Sequence, residues 1–190
     1  MKKVMFGLVA TIMCMATVFT FTSCGDSNSA LKKSAEVQTK QLPISNPDGS
    51  TITGINYDET THTWEYNIEY PAEVFAQLMA YEQTQKDTYH EFVLFSQQNA
   101  AKSDTGAQDL YKLVIEAEGS IKWVYTAQGD ASNKIEVTAN AETLKKMLNG
   151  ELTQPQLQPV QPQAEEGAEG AAEGDAEEGA TEEEAEESAE

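Results

Sequence analysis

Apolar positions fall into three regimes along the chain. From Val4 to Phe21 they run almost unbroken, between about 43 and 150 they recur periodically, and beyond Gln154 large apolar residues are sparse. The middle regime carries the fold. Thr63–Tyr70 has period two, with Trp64, Tyr66, Ile68 and Tyr70 on one side and Glu65, Asn67 and Glu69 on the other. An aromatic face opposite a polar one predicts a half-buried antiparallel strand. Thr51–Tyr57 reads as its partner across the polar turn at Asp58–Thr61. Ile121, Trp123 and Tyr125 alternate in a third strand. The loop Gln128–Ser132 then leads into a fourth, Lys134–Thr138, with Ile135 and Val137 inward.

Helical spacing separates these strands. Pro71 suits a first helical turn, where its missing N–H is no loss. Val74, Phe75, Leu78, Tyr81, Tyr89, Phe92 and Phe95 fit one long helix, or two broken near Asp87. Asp104 is placed to cap a helix carrying Leu110, Leu113, Val114 and Ala117, with Gly119 as its stop. Asn140 caps a last helix through Leu144, Met147 and Leu148, ended by Gly150. The predicted class is α+β: a four-stranded antiparallel sheet with helices on one face, built from two β-β-α units joined by helices. Ile52–Met79 aligns without a gap on Ile121–Leu148, a faint echo that shared patterning and duplication explain equally well. About 110 residues bury roughly 65% of their unfolded surface, enough for a core without disulfides.

The flanks read differently. Residues 24–42 are rich in Ser, Lys, Gln and Asn and are expected to be a flexible tether to a domain at 43–150. Residues 151–163 contain prolines among glutamines and read as a semi-rigid linker. Residues 164–190 are low in complexity. Glu165–Glu190 holds 12 Glu and 1 Asp without a lysine, out of a net charge of -20, so like charges and interspersed glycines predict a disordered acidic tail. It is either a solvating bristle, a contact for a basic partner, or a loose collector of calcium.

All 12 basic residues are lysines. Without the planar fork of arginine, and with an acidic balance, nucleic acid is not an expected partner.

The N-terminus supplies an address. Lys2 and Lys3 precede the apolar run Val4–Phe21, whose 18 residues would span about 27 Å as a helix. That length suits either a secretion signal or a retained anchor. Thr22-Ser23-Cys24-Gly25 follows, with small residues flanking a cysteine and the polar Asp26-Ser27-Asn28-Ser29 beyond. This segment resembles the lipobox of bacterial lipoproteins, with Phe21 where Leu or Val is usual, a departure found in Bacteroidota-type members. The resemblance implies removal of residues 1–23, lipid on Cys24, and firm anchoring through several acyl chains. Cysteine use agrees: Cys14 leaves with the signal, and acylation removes the remaining thiol. Glu116–Leu148 is also similar to the C-terminal part of small uncharacterised Bacteroidota lipoproteins, which implies no activity. The expected location is the bacterial envelope, at the outer membrane, with periplasmic or surface face left open.

Candidate chemistry is thin. His62 lies near Asp58 and Glu59, as a hairpin metal site would require, but fits a solvated turn better. His90, beside Asp87, Tyr89 and Glu91, reads as a surface or boundary residue. Glu65, Glu69 and Glu73 are the acids available for carboxylate catalysis. The row Trp64, Tyr66, Trp123 and Tyr125 is either core or, facing outward, a platform for sugar or peptide. In the first case Lys122, Thr126, Lys134 and Glu136 face solvent or a partner. No serine sits in a nucleophile elbow. The expectation is a non-enzymatic binding or assembly module without cofactor or metal, whose partner is a protein or glycan. The alternatives are a hydrolase of envelope polymers and a structural protein acting through its tail.

Overall fold

The computed structural model describes residues 26–160. The leader 1–23, Cys24 and the acidic tail 164–190 lie outside the described residues. Nine elements follow in order: α1 Ser27–Thr39, β1 Ile44–Ser45, β2 Thr51–Asp58, β3 Thr63–Tyr70, α2 Ala72–Lys102, α3 Thr105–Glu116, β4 Ser120–Ala127, β5 Asp130–Asn140 and α4 Ala141–Leu148. Among the described residues no helix is long and apolar enough to cross a membrane.

The class is α+β, and the strands form one sheet in the order β1-β2-β3-β4-β5. Two features differ from the expected four-stranded antiparallel sheet. The short β1 adds a fifth strand through Ile44↔Ile52 and Ser45↔Thr51. More consequentially, β3 and β4 pair in parallel, from Thr63↔Ser120 to Tyr70↔Ala127. A parallel pair needs a long return path, and α2 with α3 supplies it.

Registers align the alternating positions into rows across the sheet. Tyr57, Trp64, Ile121 and Ala139 form one row; Ile55, Tyr66, Trp123 and Val137 the next; Ile52, Ile68, Tyr125 and Ile135 the third. All are buried under the helices except Tyr66, which is partly buried. Trp64 is 0% and Trp123 1% exposed, so the aromatic row is core and not a binding platform.

The two β-β-α units are present, and at the offset of the sequence echo Ala72 falls on Ala141, each the first residue of a helix. Yet β3 runs parallel to β4 while both helices lie on the same face. The second hairpin is therefore the mirror arrangement of the first, which no rotation superposes. Shared patterning, rather than a repeated rigid unit, accounts for the echo.

Residues 27–39 are not a tether. α1 buries Leu31, Ser34, Ala35 and Gln38, a helical i, i+3, i+4, i+7 stripe, against the rest of the fold. Two of those four positions are polar, and Gln38 Nε2 donates to Ser34 Oγ at 3.2 Å, so burial leaves the pair satisfied. Thr39 Oγ1 donates to the Ile55 carbonyl at 3.0 Å, fastening the other end of the helix to β2.

Residues 151–160 do not behave as a free linker either. They form a strap along α2, with Leu152, Leu157 and Val160 packed against the core. Gln98 Nε2 donates to the Leu152 carbonyl at 3.0 Å while Leu152 N donates to Gln98 Oε1 at 2.9 Å. Gln85 makes the same pair with Gln158, both at 2.9 Å. The spacings explain the fit: thirteen helical residues rise about 20 Å, and six residues of polyproline-like chain cover about 19 Å. α2 breaks at Gln85 (φ −143°, ψ 41°), two residues before the expected point, and Tyr81 stacks on Tyr89 across the corner at 6.0 Å.

Candidate functional site

With the helices on one face, the other face of the sheet presents its own rows. Asp58, Thr63 and Ser120 lie at one end; Asn56, Glu65, Lys122 and Thr138 form the next row; Gly54, Asn67, Val124 and Glu136 follow. The first two rows, with Thr61, line an open groove of about 380 Å³. Every lining side chain is polar: four hydroxyls, one amide, two carboxylates and one ammonium.

At its centre Lys122 Nζ meets Glu65 Oε2 at 2.5 Å, across the parallel β3–β4 pair. Both side chains are about a quarter exposed, and the hydrogen bond that Lys122 donates to Glu65 holds the ammonium pKa above its ordinary value. Asn67 Nδ2 donates to the other Glu65 oxygen at 3.4 Å. At the end of the groove the Asp58 carboxylate accepts from Thr60 N at 2.8 Å and Thr61 N at 3.4 Å, and these bonds, Thr60 first, lower its pKa. Further along the face Lys134 pairs with Glu136 at 2.6 Å.

A clamp fixes the turn beside the groove. His62 has φ +51° and its Nδ1 lies 2.8 Å from the Ala117 carbonyl, while Ser120 N donates to the His62 carbonyl at 3.1 Å. His62 is thus part-buried and tied to the end of α3, rather than solvated in a free turn. Among the described residues no three His, Cys, Asp or Glu side chains converge as a metal site. His90 Nε2 lies 2.7 Å from Glu82 on the far side of the α2 corner.

The three candidate acids are not brought together. Glu65 and Glu69 share a strand face four residues apart, about 14 Å between Cα atoms. Glu73 sits instead in the first turn of α2, where a negative charge complements the helix dipole. Of the outward residues foreseen, Lys122 lines the groove, whereas Thr126, Lys134 and Glu136 lie on the face beyond it. Asn56, Thr63, Ser120 and Thr138 had no distinguishing signal, because each is one ordinary polar position in its own strand and they meet only across the sheet.

No family model matches the chain, and no curated protein does. Among solved structures, a candidate secreted protein of Pseudomonas aeruginosa, known from a 1.60 Å crystal structure, is similar at 14% identity and a TM-score of 0.42. The match covers 64% of this chain and 99% of that one.

Proposed function

We propose that the chain is a lipid-anchored protein of the bacterial envelope, held through Cys24, whose α+β domain is a non-catalytic binding or assembly module. The outer membrane is the proposed site. The observation that carries the binding role is the groove lined by polar side chains, on the sheet face that none of the described helices covers. Hydroxyls, an amide and an ion pair in an open channel suit a polar partner recognised by many hydrogen bonds, a protein segment or a glycan, more than an apolar ligand. The address is supported by Thr22-Ser23-Cys24-Gly25 after an apolar run.

The test has two parts. Fatty-acid labelling and fractionation should follow the wild type and be lost in Cys24→Ala. Cross-linking from intact envelopes should capture one repeatable partner, and Lys122→Ala together with Thr63→Ala should lose it. A protein that stays alone at native levels overturns the binding role. Glu65 and Asp58 in the groove favour one second reading, hydrolysis of an envelope polymer; it requires Glu65→Gln to abolish turnover without weakening binding.

A further inference from the structure

We propose that the domain is docked directly on the membrane by its β2–β3 turn end, with no tether between lipid and fold; this rests on Cys24 carrying lipid. Asp26 Oδ1 already accepts from Asn28 N as the cap of α1. Two residue steps separate it from Cys24, a reach of about 7 Å. α1 cannot pay out more chain without unfolding, because Leu31 is 0% exposed in the core and Tyr57 Oη donates to Asn28 Oδ1 at 2.5 Å.

The same contacts say which end of the domain lies down. Ser27 Oγ donates to Glu116 at the end of α3, Lys32 pairs with Glu59 at 2.6 Å, and His62 is clamped to Ala117. The start of α1, the β2–β3 turn and the α3–β4 corner therefore form one surface, at the Ser120 end of the sheet. The groove begins there, at Asp58, Thr63 and Ser120, and so opens at headgroup level. Its occupant is thereby narrowed to a polar group presented at the membrane surface. The surface carries Asp26, Asp58, Glu59, Glu116 and Glu118 against Lys32, so charge attraction to anionic lipid does not hold it down. The short lipid leash does.

The opposite end of the sheet, at Ala127–Asp130, stands about 25 Å away along strands of eight residues. The experiment uses the mature lipidated protein, whose first residue is the acylated Cys24 and which has no other cysteine, in phosphatidylethanolamine/phosphatidylglycerol vesicles. A donor fluorophore is placed on Thr61→Cys or on Gln128→Cys, both exposed, with an acceptor on the lipid. Energy transfer should leave emission at residue 61 about twofold below that at residue 128, given strands that hold the sites apart by their length. Twenty Gly/Ser residues inserted between Gly25 and Asp26, with an end-to-end span of about 25 Å, should abolish the difference. Protein that floats with vesicles but shows equal transfer at both sites overturns direct docking and leaves the anchor standing. Protein that does not float at all overturns the anchor, and the docking with it.

Discussion

The carbonyl of His62 occupies the space in which a side chain on Gly119 would have to stand, and it accepts the N–H of Ser120 from there. Gly119 is therefore required by a close approach of two backbones. The left-handed position at the end of α3 belongs to Glu118, with φ +52°, while Glu118 N bonds Ile115 O and Gly119 N bonds Val114 O. That is a Schellman ending with the wrong residue for strain-free geometry. Gly119→Ala should cost about 2–3 kcal/mol, since the blocking atom is backbone and cannot rotate away. Glu118→Gly should stabilise by about 1 kcal/mol. Urea unfolding of the two variants checks both signs, and a Gly119→Ala protein as stable as wild type contradicts the close contact.

The strap is the second place where composition misled. Gln98 is 1% exposed, and its amide answers both backbone groups of Leu152. Gln98→Ala removes two hydrogen bonds and leaves a part-buried backbone unpaired, a loss of about 2 kcal/mol. Gln98→Glu keeps one acceptor but no donor and should recover only part of it. Hydrogen exchange at the Leu152 and Gln158 amides is the direct readout: both are slow in the wild type, and Leu152 becomes fast in Gln98→Ala.

Strands, caps and the split of faces were readable because each is written locally. Period two around Trp64 and Trp123 reports a half-buried strand wherever its neighbours are, and Asn140 and Asp104 cap within three residues of themselves. Asn140 accepts from Thr143 N at 2.9 Å and Asp104 from Gly106 N at 2.9 Å, as their types foretold. What failed was non-local or masked by polarity. α1 hides its stripe behind Ser34 and Gln38. The strap depends on Gln85 and Gln98 matching a chain more than fifty residues later. Parallel pairing of β3 with β4 is invisible to periodicity, which fixes a strand's faces and not its neighbour's direction. The groove exists only once that pairing sets Glu65 beside Lys122.

At that pair the expected effect on stability is small. Both side chains are about a quarter exposed, so water screens them, and a double-mutant cycle of Glu65→Gln with Lys122→Met should give a coupling of about 0.5–1 kcal/mol. Its sign with pH follows from the raised Lys122 pKa: the contribution is complete below the lysine's unfolded value of 10.5 and is lost as pH rises through the higher folded value. A coupling that persists in strong alkali, or that exceeds several kcal/mol, contradicts this screened geometry.

Alkali should unfold the protein through its tyrosines. Desolvation raises the hydroxyl pKa of Tyr66, Tyr70, Tyr89, Tyr111 and Tyr125 well above the ordinary value of 10.0. The folded state thus keeps these protons where the unfolded chain releases them, so unfolding becomes easier as pH climbs beyond 10 and is unaffected below it. Absorbance at the phenolate band should stay low past that point and then step up together with the loss of near-ultraviolet circular dichroism. Acting through one group at a time, Tyr125→Phe removes a buried hydroxyl that faces the Gln97 amide without a well-formed hydrogen bond, and should move the transition to higher pH at a cost of no more than about 1 kcal/mol near neutrality. A smooth, non-cooperative titration of all seven tyrosines centred near 10 would mean that the helices do not seal the sheet.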